Sequence, residues 1–157
     1  MHFLRQKGVA AVELTILLPL LLLIVFATAE FGRAMYQYST LTLMVRDAAR
    51  YLAGTADTRQ TGNLPNPLTD SGCGNCITET KNLLVYGNMA SGGTPLLNGL
   101  STADVTILES PAGSRRLVVS VSYNWQPLFG DSFNTFGLGD ALDLSFNLNT
   151  SYAVTAL

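Results

Sequence analysis

Residues Val9 to Ala29 read VAAVELTILLPLLLLIVFATA, with a single charge, Glu13. About 20 residues of helix span the ~30 Å hydrocarbon core of a bilayer. This stretch therefore predicts a membrane-spanning helix, and the remaining chain is arranged around it. Arg5 and Lys7 precede the span. The next basic residue after it is Arg33, balanced by Glu30. The excess of basic residues on the N-terminal side predicts a cytoplasmic N-terminus and a head outside the membrane. A conventional cleaved secretory signal fits less well. Its apolar region runs to about 7–15 residues, shorter than this one. A cut at Ala27 and Ala29, before Glu30, would also split a continuous helical pattern.

Glu13 has two readings. A carboxylate costs roughly 2.5–3.5 kcal/mol at the centre of a membrane helix, and less near the edge. The first reading is simple snorkelling to the headgroups. In the second, a cut between Gly8 and Val9 creates an α-amine one helical turn away. Glu13 then neutralises that amine, or that of a neighbouring subunit, and so sets axial register.

Composition narrows the function classes. The chain has 157 residues, 48% hydrophobic and 13% charged, where ~25% charged is usual. So little charge suits a membrane, partner or extracytoplasmic setting. Net charge is −2, which gives no footprint for nucleic acid. The single histidine, His2, excludes a histidine triad, and two cysteines cannot build a four-cysteine zinc site. P-loop, HExxH and GxSxG patterns are absent. No cofactor is expected.

The order basic leader, glycine, four mostly apolar residues, glutamate, apolar helix resembles a class III prepilin signal. Here it stands as RQKG-VAAVE-LTILLPLLLL. The block Ala29-Glu30-Phe31-Gly32-Arg33-Ala34 is similar to TadE-like proteins, the minor pseudopilins of the tight-adherence (Flp) pilus system. So are Ala48 to Ala53, Asn82 to Gly87, and Val118 to Trp125 with Pro127 after it. Leu14 stands where major Flp pilins have tyrosine after the glutamate, and a head follows the helix. Both differences point to a minor subunit. The resemblance implies that a membrane-embedded prepilin peptidase cuts between Gly8 and Val9. Loss of the leader would take Lys+Arg from 9 to 7 against 11 acidic groups, a net charge of −4. It further implies pilin or pseudopilin partners, the pilus assembly machinery, and roles in adhesion and biofilm formation.

Helical periodicity continues past Ala29. Phe31, Met35, Tyr38, Leu41, Val45, Ala48 and Leu52 recur at steps of three and four, predicting one buried face. Gly54 is a plausible stop. A helix from Val9 to Ala53 would be about 67 Å long, kinked at Pro19. Residues 55–76 read as a loop holding Cys73-Gly74-Asn75-Cys76. A structural disulfide is the expected reading on an oxidising side of the membrane. A redox pair would want a βαβ setting, and a metal site would want more ligands. Residues 77–86 predict a short helix, capped by Thr78 or Thr80 and ended by Gly87. Strands are expected at 104–108, at 117–125 and, by the alternation from Leu142 to Val154, as one long final strand. Phe129, Phe133 and Phe136 fall in the loop between the last two, either as a lid over the sheet edge or as a docking surface. Asp140 and Asp143 read as solvated loop charges.

The expected fold is α+β, with a long pilin-like helix packed by a small antiparallel sheet. The expected division is leader 1–8, transmembrane or assembly helix 9–29, helix continuation 30–54 and soluble head 55–157. The expected place is the bacterial inner membrane with a periplasmic head, or a cell-surface pilus. The expected function is non-enzymatic pilus assembly. Two alternatives stay open: an unprocessed, membrane-anchored periplasmic binding or sensor domain, and a tethered thiol oxidoreductase using Cys73 and Cys76.

Overall fold

A computed structural model of the chain describes residues 6–56, 64–65, 67–111, 114–128, 130–133, 135 and 139–156. One helix, α1, runs Gln6–Thr55 without interruption, through Pro19. At 1.5 Å per residue its 50 residues are about 75 Å long. The contacts divide the chain into two compact units. One is Met1–Tyr36 with Pro127–Ser145; the other is Gln37–Gln126 with Phe146–Leu157.

The second unit holds the α+β core. Helix α1 enters it with Leu41, Val45, Ala48, Ala49, Leu52 and Ala53 buried. After a single helical turn, α2 (Asp70–Cys73), comes α3 (Cys76–Tyr86). A 3-10 turn at Thr102–Asp104 leads into β1 (Val105–Glu109), β2 (Arg116–Asn124) and finally β5 (Asn147–Thr155). These strands form an antiparallel sheet in the order β1-β2-β5. Val105 pairs with Val121, and Arg116 with Thr155. The central strand shows the expected alternation. Leu117, Val119, Val121 and Tyr123, with Trp125 just beyond, are all buried. β-branched and aromatic residues suit such a half-buried pleat. The Tyr123 hydroxyl donates to the Asn98 carbonyl at 2.8 Å. Helix and sheet also meet through side chains: the Arg46 guanidinium lies 5.6 Å from the centre of the Tyr152 ring.

The first unit contains the N-terminal part of α1 and a two-stranded ladder, β3 (Ser132–Phe133) with β4 (Leu142–Asp143).

Three expectations are corrected. Phe31, Met35 and Tyr38 are exposed rather than part of the buried face. The buried line runs instead through Glu30, Ala34, Leu41, Val45, Ala48 and Leu52, which lie at steps of three, four and seven. Secondly, the final alternation is not one strand. The Asp143 carboxylate accepts from the Ser145 N–H at 2.8 Å and from its hydroxyl at 2.6 Å. This local turn breaks the extended run between β4 and β5. It also holds the Asp143 carboxyl below its ordinary value, chiefly through the Ser145 hydroxyl.

Thirdly, neither Thr78 nor Thr80 caps α3. Its N-cap is Asn75, at a φ of 69°, with no side-chain cap of its own. The capping oxygen comes from Asp70, whose Oδ1 accepts from the N–H groups of Ile77 (2.8 Å) and Thr78 (3.0 Å). Oδ2 takes the Thr78 hydroxyl at 2.6 Å. Thr80 instead donates back to the Cys76 carbonyl. Gly87 does end α3, with a φ of 73° and its N–H on the Leu83 carbonyl.

Burial pushes the Asp70 carboxyl up, but the Thr78 and Ile77 hydrogen bonds, with the charge of Lys81, outweigh it. The net shift is below the ordinary 3.8. The sign follows. This stabilisation is complete above pH 3.8 and is lost as pH falls through the lower folded value. Asp70→Ala should cost about 1 kcal/mol, as for a lost N-cap. Thermal melts of wild type and variant should differ at neutral pH and converge on acidification.

Candidate assembly helix and processing site

From Val9 to Ala29 most side chains of α1 are exposed, while Pro19, Leu23 and Phe26 are half-buried along one line that leads to Glu30. Its most apolar eighteen-residue window has a mean hydropathy of 2.7, and none of that window is buried. Ile16 is 72% exposed. It is the one helix among the described residues that is long and apolar enough to cross a membrane. Such a surface is costly in water and suited to lipid or to packing against like helices. Its two polar side chains other than Glu13 are satisfied internally. Thr15 donates to the Ala11 carbonyl at 2.7 Å and Thr28 to the Ile24 carbonyl at 2.6 Å. Pro19 brings no N–H for the carbonyl four residues back, a loss tolerated in membrane helices.

Gly8 and Val9 both lie within α1. A Cβ built on Gly8 meets nothing within 4 Å. Crowding inside this chain is therefore not what calls for glycine there. Glycine weakens a helix by about 1 kcal/mol relative to alanine, so this junction is easily opened and closely approached. Glu13 is exposed, and among the described residues no ion pair is formed by it. Arg5 and His2 lie outside the described residues.

Just past the span the helix carries a feature that the sequence reading overlooked. Glu30 is only 5% exposed. Its Oε1 accepts the Leu128 N–H at 2.8 Å, and its Oε2 lies 3.7 Å from the Arg33 guanidinium. A carboxylate thus pins a segment 98 residues away in sequence to the helix. The sequence held a signal for it. Glu30 occupies the line of Ala34, Leu41 and Val45, where an acid is out of place unless it has partners.

Cys73 and Cys76 are joined by a disulfide, with Cα atoms 5.5 Å apart. It links the end of α2 to the start of α3, and Cys76 is fully buried. The strands of the second unit are antiparallel, so no βαβ setting surrounds the pair. Of the three loop phenylalanines, Phe129 and Phe136 lie outside the described residues. Phe133 lies in β3, and its side chain is likewise outside them.

A shallow groove of about 540 Å³ opens beside Tyr38, Asp104, Thr106, Ser120 and Ser151. Its carboxylate, Asp104, is engaged by the N–H and hydroxyl of Ser101, both at 2.8 Å. Hydroxyls with one occupied carboxylate make no acid–base pair. Among the described residues, no three of His, Cys, Asp and Glu are grouped to hold a metal.

Comparison with curated proteins finds no match, and neither does comparison with solved structures. The exposed apolar span, Glu13, the Glu30–Arg33 turn and the start of the buried face all fall within residues 8–50, the segment over which the chain is similar to the family model TadE, described as TadE-like protein.

Proposed function

We propose that this protein is a minor pilin-like subunit that assembles into, or at the base of, a tight-adherence pilus. The observation that carries the reading is the continuity of α1. A helix exposed over most of its apolar part runs unbroken into a folded head. In the bilayer the exposed part anchors the chain, with its N-terminus cytoplasmic and its head periplasmic. On assembly the same surface exchanges lipid for neighbouring pilin helices. A prepilin peptidase cuts between Gly8 and Val9, removing Arg5 and Lys7. The positive charges that held the N-terminus at the cytoplasmic face go with them, which eases extraction. Glu13 then meets an α-amine of its own or a neighbouring chain. Surface adhesion and biofilm formation follow from the pilus. The protein does no chemistry of its own.

The test is the intact mass, with N-terminal sequencing, of the protein from membranes of its own host. A chain beginning at Val9 is expected. A chain beginning at Met1 would leave a plain membrane anchor. A start near Glu30 would mean that the apolar stretch is a secretory signal.

A further inference from the structure

Exposed apolar side chains follow the span on α1, Phe31, Met35, Tyr36 and Tyr38 among them, and Leu128 is exposed as well. Phe31 is 69% exposed and Leu128 72%. Leu128 is held at the level of Glu30 by its N–H bond to that carboxylate. At 1.5 Å per residue, Phe31 stands about 3 Å beyond Ala29, and Met35 and Tyr36 about 9–10 Å. The headgroup layer of one leaflet is about 5–7 Å deep, from the difference between total and hydrocarbon thickness. Phe31 and Leu128 therefore lie within it. The backbone at Met35 and Tyr36 stands about 2–5 Å beyond that layer, with side chains that lean back toward the helix N-terminus and so into it.

Their directions identify the occupant. At about 100° per residue, Met35 is turned about 40° from Phe31, and Tyr36 about 140°. Glu30, which carries Leu128, points about 100° to the other side. A partner helix touches one stripe. Apolar groups spread over about 240° of the axis within two helical turns fit a medium that surrounds it, which is the bilayer interface.

We propose that Phe31, Met35, Tyr36 and Leu128 form an interfacial collar that sits in the outer headgroup layer and fixes the depth of the helix. Glu30 is its positioning residue. It satisfies the Leu128 N–H, and its own charge is sheltered by that N–H and by Arg33 at the boundary, where an unpartnered carboxylate is costly. The proposal rests on the reading of α1 as a membrane span.

The test uses full-length protein in phosphatidylcholine–phosphatidylglycerol vesicles, with Cys73 and Cys76 kept disulfide-bonded. An environment-sensitive fluorophore is placed in turn at Leu128→Cys, Ile16→Cys and Met89→Cys. The Leu128 label should be several-fold less accessible to aqueous iodide than the Met89 label, and quenched by lipids carrying a shallow nitroxide. The Ile16 label should be quenched by a mid-chain nitroxide. Glu30→Ala should restore iodide access at Leu128 and leave Ile16 unchanged. If Ile16 behaves as expected while Leu128 is as accessible as Met89, the collar is overturned and the span stands. If Ile16 escapes lipid quenching, the span reading fails and the collar with it. Protection at Leu128 without nitroxide quenching, lost as the protein is diluted in lipid, would make a second copy the occupant and overturn the lipid assignment.

Discussion

Glu13→Ala is expected to insert into the membrane normally and to fail at incorporation into pili. Insertion should if anything improve, since the substitution removes a charge that costs up to roughly 2.5–3.5 kcal/mol in a membrane helix. Assembly is a different matter. The proposed cleavage would place the Val9 amine four residues from the Glu13 carboxylate, one helical turn and about 6 Å of rise. In an apolar bundle an isolated amine is expensive, and breaking a buried pair by removing one partner costs about 3–5 kcal/mol. At 1.4 kcal/mol per tenfold, the lower figure alone is on the order of a hundredfold in incorporation. The measurement compares the variant in sheared surface pili with the variant in membranes by quantitative immunoblot. Equal incorporation of Glu13→Ala and wild type would end the register role. Glu13→Asp keeps the charge on a shorter arm and should fall between the two.

The largest effect on stability is expected from Tyr123→Ala. Tyr123 is 1% exposed near the end of β2, the central strand of the sheet, where it pairs with Leu148 of β5 and hydrogen-bonds Asn98. Truncating a buried aromatic to alanine costs about 3–5 kcal/mol. Whole domains are stable by only about 5–15 kcal/mol, so this one change should leave the head partly unfolded at growth temperature. Tyr123→Phe keeps the ring and removes the hydroxyl. It should cost about 1–2 kcal/mol, the loss of a buried hydrogen bond with the Asn98 carbonyl left behind. Denaturant melts followed by Trp125 fluorescence separate the two, because Trp125 is buried and packs on Phe146 at 4.8 Å between ring centres. Equal effects of the two substitutions would mean that ring packing contributes little here.

The long helix and the three main strands were legible because both periods are long and clean. Apolar spacing carried α1 from Val9 to Ala53, and the period of two carried β2 from Leu117 to Trp125. What the pattern left open was azimuth. Phe31, Met35 and Tyr38 obey helical spacing as well as Ala34, Leu41 and Val45 do, and only contact with the remaining chain selects the line that is buried. Small alanines were chosen over large aromatics because a close-packed core needs fit, not size. The false continuation from Leu142 to Val154 has a different cause. Alternation does not register a side chain that turns on its own backbone, as Asp143 does with Ser145. The capping of α3 was missed for a similar reason, since Asp70 reaches seven and eight residues ahead, beyond any local capping motif. Glu30 was visible only as the partner of Arg33, while its bond to Leu128 spans most of the chain. For the processing and register residues, Gly8, Val9 and Glu13, the structure supplies placement and exposure, and their roles rest on the proposed reading.

The segment between β2 and β5 leaves the sheet and returns to it at one point. The Trp125 N–H donates to the Phe146 carbonyl at 3.1 Å, and the two rings stack there. The ladder below is thus sealed before residue 127 departs and after residue 145 comes back. The excursion behaves like a sleeve sewn on at a closed cuff. Its length and sequence can drift without loosening a single rung of the sheet, because lengthening a surface loop costs little in closure entropy. Chains sharing this sheet would then differ mainly in the sleeve, with the chassis unchanged.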